Sequence, residues 1–301
     1  MAKDNRAQRL TRFDGLGLRV TKQVWQTVAR PFDRRAKSVL IIAGVQRSGT
    51  NMMVEILERF FRTAVYNENH PAACTDFELH DTPTLRRLVE RAPGDTVVFK
   101  ALCDLDRVPA LLDDLPGARA VWVMRRVEDV VNSHGHTKFL SARNNLCSTR
   151  MNNIAVDALS EGWRGRGMVA ETHEVVRRYA HPEMTNQTAV ALFWYMRNAL
   201  YFDLGLDRDP RVRPLLYEHL ARAPHREGAA LLAWAGLPAS RFALAKVNAR
   251  SVGRQAAPAI DPAVEQICND LYNRFAAQAP ATEPAASMAT AGRENAFDAT
   301  N

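Results

Sequence analysis

Ser38-Val39-Leu40-Ile41-Ile42-Ala43-Gly44-Val45-Gln46-Arg47-Ser48-Gly49-Thr50-Asn51-Met52-Met53 changes character twice along its length. The apolar run at 39–43 has the length, and the lack of alternation, of a strand buried on both faces. A glycine-bounded loop follows. Apolar residues then return at helical spacing through Met52, Met53, Ile56 and Leu57. A strand, a tight loop and a helix N-terminus in that order put free backbone N–H groups and the positive end of a helix dipole at one point, which makes an anion site. Gly44 and Gly49 stand five apart, as in a Walker A loop, but Thr50 occupies the lysine position and Asn51 the metal-binding Ser/Thr position. The loop suits a phosphate and lacks what an ATPase uses for a triphosphate and its metal. The cation it offers instead is Arg47, inside the loop.

Downstream, the pattern alternates. The spacing predicts a helix over 51–62, a polar loop over 67–82 and a short helix over 84–92. A buried strand is expected at 96–99, ending in Lys100. A helical turn at 109–115, a strand at 118–124 and a helix from 127 to 134 follow, with Arg125 and Arg126 at the strand's end. Strands separated by helices imply a central parallel sheet flanked by helices, a P-loop-like three-layer α/β fold. Ligands of such sheets sit beyond the carboxyl ends of the strands, where Arg47, Lys100 and Arg125 would converge. Residues 135–188 are polar and weakly periodic, with a glycine-rich loop at 162–167. A helix is expected at 190–204 with Leu192, Phe193, Met196, Leu200 and Leu204 on one side, a last strand at 212–217 and a glycine-closed helix at 227–236.

The 301 residues, 47% of them hydrophobic, suffice for a substantial core. The formal charge of +7 suggests an anionic substrate, partner or surface. Cys74, Cys103, Cys147 and Cys268 are widely spread, without a C-x-x-C pair or zinc spacing, so a reduced compartment is expected and no structural metal. The expected location is cytoplasmic, with no targeting segment and no apolar run near the N-terminus long enough for a span. The organisation read from the sequence is a basic, helical segment over 1–37, one α/β domain over 38–276 with an acceptor-specificity insertion near 135–188, and a disordered tail over 277–301. In the first segment Val20, Val24, Trp25 and Val28 recur at helical spacing among basic residues. Such a helix either packs on its own domain or rests on an anionic membrane.

Three blocks in order resemble the sulfotransferase superfamily, whose members use 3′-phosphoadenosine 5′-phosphosulfate. The first is the loop from Gly44 to Thr50, similar to the family's loop for the 5′-phosphosulfate. The second is Ala120-Val121-Trp122-Val123-Met124-Arg125-Arg126-Val127-Glu128-Asp129-Val130-Val131-Asn132-Ser133, similar to its strand-then-helix block for the 3′-phosphate. There an Arg is followed by Asp four residues later and Ser eight residues later. The third is Pro214-Leu215-Leu216-Tyr217-Glu218-His219-Leu220, then Pro224, then Leu231 to Leu237. Three departures matter. Val127 stands where a proline usually shapes the turn, Arg47 where the soluble small-molecule branch has lysine, and Leu102 where that branch has its histidine base. The second departure points to the bacterial and carbohydrate-type branches.

The resemblance implies in-line transfer of a sulfuryl group from this donor to a hydroxyl acceptor, with no metal required. Catalysis of this kind is largely positioning and charge stabilisation. It assigns the donor to Gly44, Gln46, Arg47, Ser48, Gly49, Thr50 and Asn51, with the backbone N–H groups of Ser48, Gly49 and Thr50 as donors of hydrogen bonds. It assigns the 3′-phosphate to Arg125 and Ser133, and to the late basic segment through Arg250 and Arg254. Arg47 also joins the catalytic set, because a planar guanidinium fork suits phosphate and sulfonyl oxygens. A general base must take the acceptor's proton. Glu68 is the first candidate and His70 the second, with His80, Asp104, His134 and His136 as further ones. Lys100 either binds the sulfuryl or leaving oxygen or is a strand-end lysine facing water. The acceptor is a carbohydrate, glycolipid or small alcohol, or an anionic molecule met by Trp163 and the arginines at 143, 150, 164 and 166. No nucleic-acid partner is expected. Two other functions stay open at this point: a P-loop kinase or NTPase, and a non-catalytic nucleotide- or anion-binding protein.

Overall fold

A computed structural model describes residues 17–18, 20–28, 36–135 and 148–279. Five parallel strands form the central sheet: β1 (Ser38–Gly44), β2 (Thr63–Tyr66), β5 (Thr96–Lys100), β6 (Arg119–Met124) and β7 (Val212–Leu216), in the order β2-β5-β1-β6-β7. A small antiparallel pair, β3 (Cys74–Thr75) and β4 (Glu78–Leu79), stands apart.

The side chains of β1 alternate between two cores. Val39, Ile41 and Ala43 join Phe99, Trp122 and Met124 on one face. Leu40 and Ile42 join Val98, Val121, Val123 and Leu215 on the other. Both faces are apolar because both are covered, which is why the strands read as continuous runs. On the second face lie α1 (Thr50–Glu58), through Met53, Ile56 and Leu57, and α9 (Pro224–Trp234), through Leu231 and Leu232. The first face carries α2 (Thr82–Arg91), α3 (Val108–Asp114), α4 (Val127–Gly135), α7 (Asn186–Asp203) and α11 (Pro262–Ala276). The fold is therefore the expected three-layer α/β arrangement.

Local chemistry sets several boundaries. Pro83 lies in the first turn of α2, whose N-cap Asp81 accepts from Thr84 N at 2.9 Å. Pro262 does the same in α11, where Asp261 accepts from Ala263 N and Val264 N. Helix α7 is buried nearly all round, wider than the one-sided stripe expected of it, because it packs against α4, α5 (Ser148–Val156), α6 (Ala170–Tyr179) and α11.

Three readings of the sequence need correction. The helix expected to run to 62 stops at Glu58, and Thr63–Tyr66 is a strand. At that turn the Thr63 hydroxyl donates to Leu57 O at 2.6 Å and so closes the helix end with a side chain. The segment 67–82 holds the small β3–β4 pair as well as loop. The weakly periodic stretch 148–179 contains α5 and α6, two helices too short for their spacing to stand out. The tail from 280 onward lies outside the described residues. Among those described, no helix is long and apolar enough to cross a membrane.

Candidate functional site

All five strands point the same way, so the residues that follow β1, β5, β6 and β7 meet at one edge of the sheet. The loop after β1 is shaped by its two glycines. A Cβ on Gly44 would lie 2.4 Å from Val123 O, and one on Gly49 would lie 2.3 Å from Cδ2 of Tyr217. Their φ angles are +137° and +98°. Arg47 shares the left-handed region with a φ of +69°. Gly49 is the N-cap of α1 and no side chain caps that helix, so N–H groups of its first turn are open to a ligand. Of the three loop N–H groups assigned to an anion, that of Ser48 is already engaged, donating to Val45 O at 3.2 Å. Its hydroxyl is fully buried and has no partner.

Arg125 emerges from β6 and turns back over this loop. Its NH1 donates to Arg47 O at 3.3 Å and its NH2 to Ser251 O at 2.7 Å, while Nε has no partner. The guanidinium lies 4.5 Å from the centroid of Tyr217, at the end of β7. Asp129, one helical turn on, lies 3.5 Å from it. Arg47 Nε donates to Ser133 Oγ at 2.9 Å. Arg47, Arg125, Asp129 and Ser133, with Ser251 and Arg254, line a cavity of about 220 Å³. Three arginines face one carboxylate there, so the cavity is electropositive. Burial, and then Arg125, hold the Arg47 guanidinium below its usual range. The same surroundings push His134 down to about 4, burial first and then Arg47, so this imidazole is neutral near pH 7.

The segment 251–256 is fastened across the cavity. Gly253 N donates to both carboxylate oxygens of Asp129 at 3.1 and 3.2 Å, Asn132 Nδ2 donates to Ala256 O at 3.1 Å, and the hydroxyls of Tyr217 and Ser251 lie 2.6 Å apart. Arg254 lines this cavity and a neighbouring one of about 300 Å³, shared with Arg250, Lys246 and Glu55. Arg250 thus belongs to the neighbouring cavity. The missing proline at Val127 is accounted for by Glu218. Its buried carboxylate accepts from Arg126 N at 2.9 Å and from Tyr272 Oη at 3.0 Å, and so sets the strand-to-helix turn from outside.

On the other side of the loop, Lys100 ends β5 with its side chain 1% exposed. A water-facing strand end is thereby overturned. Its Nζ pairs with the Glu68 carboxylate and donates to Asn51 Oδ1 at 2.5 Å, in the first turn of α1. Glu68, at 26%, remains reachable from solvent. His70 sits apart: Nδ1 accepts from Ala72 N at 3.2 Å, the ring meets Tyr66 edge-on, and it lines a different cavity beside Lys22 and Gln26. His80 contacts Pro71 O. Asp104 is buried among structural partners, accepting from Leu79 N and Arg107. His136 and Arg143 lie outside the described residues.

The arginines of the stretch 150–166 divide. Arg166 is consumed by Glu78 and Asp106, and Arg150 pairs with Glu161. Arg164 stacks on Trp163 at 4.7 Å, with one long bond of 3.4 Å to Glu161 O. Helix α7 holds both sides of the site. Trp194 Nε1 donates to Arg125 O at 3.0 Å. Arg197, 1% exposed, donates to Trp163 O at 2.9 Å, Arg166 O at 3.2 Å, Arg164 O at 3.4 Å and Leu102 O at 3.4 Å. Burial holds it down to about 10. Tyr217, Glu218 and Arg197 were not singled out from the sequence as site residues, whereas Ser251 belongs to the late basic stretch with Arg250, Gly253 and Arg254. Tyr217 and Glu218 were visible in the third block, while nothing local marks Arg197.

Among the described residues, no group of three or more His, Cys, Asp or Glu side chains could hold a metal ion. No family model and no curated protein matches the chain. Among solved structures it is similar to a sulfotransferase from Alicyclobacillus acidocaldarius, at 15% identity and a TM-score of 0.44 over 81% of this chain and 94% of that one. It is also similar to the sulfotransferase domain of the Synechococcus PCC 7002 olefin synthase, at 15% identity and a TM-score of 0.41 over 81% of this chain and 96% of that one. A mouse sulfotransferase complexed with PAP is similar at 13% identity and a TM-score of 0.39, over 81% of this chain and 84% of that one. These three neighbours are sulfotransferases by name, at 13–15% identity.

Proposed function

We propose that the chain is a sulfotransferase that uses 3′-phosphoadenosine 5′-phosphosulfate and a hydroxyl acceptor. The observation that carries this reading is a second cationic site, Arg125 with Ser133, beside a loop that holds its own cation, Arg47, and an open helix N-terminus. Arg125 and Ser133 lie on one side of the loop, and Lys100 with Glu68 and Asn51 on the other. A nucleotide bearing phosphates at both its 3′ and 5′ positions has the matching charge distribution.

The residues fit such a donor by three observations. The glycine pair lets the loop pass tightly against Val123 O and the Tyr217 ring, where a Cβ would collide, the α1 N-terminus has no side-chain cap, and Arg125 Nε and Ser48 Oγ are buried without partners. The 3′-phosphate is assigned to Arg125 and Ser133, with Arg254 from the segment that crosses the cavity. The 5′ end is assigned to the Gly44–Thr50 loop and Arg47. Bound there, the donor supplies a sulfuryl group whose transfer to the acceptor oxygen releases adenosine 3′,5′-bisphosphate.

The chain's own part is positioning and proton removal. Glu68 takes the acceptor's hydroxyl proton. Its carboxylate is anchored by Lys100, so its location is set before the acceptor arrives. Lys100, held by Asn51 at the head of α1, places positive charge beside the loop where negative charge grows on the leaving oxygen. The fold assigns His70 no partner in that arrangement, which favours Glu68 over it. On the acceptor side, Arg164 and Trp163 are the groups we assign to an anionic or sugar acceptor, because Arg166 and Arg150 are already spent on carboxylates.

Calorimetry with adenosine 3′,5′-bisphosphate against AMP tests the donor assignment, and a transfer screen with radiolabelled donor against sugar and alcohol acceptors tests the activity. Equal affinity for the two nucleotides would sink the reading. Magnesium-dependent ATP turnover would replace it with a kinase.

A further inference from the structure

Residues 20–28 form a helix with one side engaged on the body of the protein. Lys22 Nζ donates to Glu58 O and to Thr63 Oγ1, both at 3.0 Å, and Gln26 Nε2 donates to Phe61 O at 2.8 Å and Thr63 O at 3.0 Å. Trp25 meets Phe61 edge-on at 6.0 Å. At helical spacing these three positions share a side, and positions 20, 24 and 28 fall on the opposite one. Those are valines, exposed at 53%, 56% and 63%. The periodicity that links Val20, Val24, Trp25 and Val28 in the sequence is thus split, with the tryptophan turned inward and the valines outward. A row of three apolar side chains held in water adds nothing to the core.

Charge decides what covers it. Residues 1–37 contain ten Lys and Arg against three Asp, an excess equal to the formal +7 of the whole chain. A second copy laid on this face would bring two such segments together, which like-charge repulsion opposes. An anionic lipid surface meets both features, because its headgroups attract the cations and its acyl boundary takes the valines.

We infer that the outward face of this helix is a peripheral docking surface for an anionic lipid bilayer. The inference is independent of the donor and acceptor assignments. Its test is co-sedimentation of the full chain with vesicles of pure phosphatidylcholine and with vesicles containing about 30% phosphatidylserine. Binding is expected to be at least roughly tenfold stronger to the anionic vesicles and to fall steeply as salt rises towards about 0.5 M. The triple variant V20S/V24S/V28S should lose most of that binding, and Val24→Trp should strengthen it. Neither change touches the inward contacts, so an unchanged Tm serves as the control for folding. The inference is overturned if the wild type ignores phosphatidylserine. It is equally overturned if the triple variant binds like the wild type, since the attraction would then be ionic only. A dimer in solution that the triple variant converts to a monomer would assign the valines to a second copy instead.

Discussion

The ring of Tyr217 occupies the space that a side chain on Gly49 would need, with Cδ2 lying 2.3 Å from the position of a Cβ there. One aromatic residue thereby fixes the loop from beneath and carries Arg125 on its face. Gly49→Ala must move that ring as well as strain a φ of +98°. A loss of about 1–3 kcal/mol in stability is expected, read as a fall of several degrees in Tm. In the Tyr217→Ala background the same change should cost less, because only the backbone strain remains.

Arg125→Ala should remove the preference for a nucleotide phosphorylated at both ends. We expect bisphosphate affinity to fall by roughly 10–100-fold, the loss of a charge-assisted contact of about 1.5–3 kcal/mol, with AMP affinity little changed. Titration of both nucleotides into wild type and variant measures this directly. A parallel weakening of AMP would mean a loss of general basicity.

Glu68→Gln should separate chemistry from binding. Transfer is expected to drop by about 10²–10⁴-fold, with bisphosphate affinity nearly unaltered. His70→Gln should reduce transfer far less. If the histidine variant is the inactive one, the base assignment is reversed.

His134 provides a pH test. Its folded-state value of about 4 lies below the ordinary 6.5, so the unfolded chain binds the proton more readily between these limits. Stability should therefore fall as pH drops from about 6.5 towards 4, by at most about 3 kcal/mol. Denaturant unfolding across that range should show a flatter decline for His134→Gln.

Arg197→Met should destabilise the protein by roughly 3 kcal/mol or more, since four carbonyl oxygens lose their donor in a buried setting. Chemical denaturation is the measurement. A neutral result would mean that water replaces the guanidinium.

The sheet was legible because strands buried on both faces announce themselves as unbroken apolar runs, as at Val39, Leu40, Ile41 and Ile42. The loop and the Arg125–Ser133 spacing were legible because each is a pattern within one short stretch, although the contacts they make, Arg47 to Ser133 and Arg125 to Arg47, span 86 and 78 residues. β2 escaped notice: Thr63, Ala64, Val65 and Tyr66 form a short edge strand with little pattern, adjoining a helix read as longer than it is. Lys100 was ambiguous because sequence position gives no burial, and only packing brings Asn51 and Glu68 to it. Arg197 was illegible for a stronger reason, since its role consists of contacts across up to 95 residues of chain.

Helix α7 gives the site a common ruler. Trp194 holds the carbonyl of Arg125, and Arg197 holds those of Leu102 and the 163–166 loop, within a single turn of about 5.4 Å. The two halves of the site are therefore gauged against the same short piece of helix. Arg164 meets that gauge through its backbone carbonyl, so its side chain can be exchanged with the spacing kept, whereas the Trp163 ring itself packs on Arg197 and Phe193. Redesign of what the protein accepts has a natural place to begin there, and Trp194 and Arg197 are the two residues such work must leave alone.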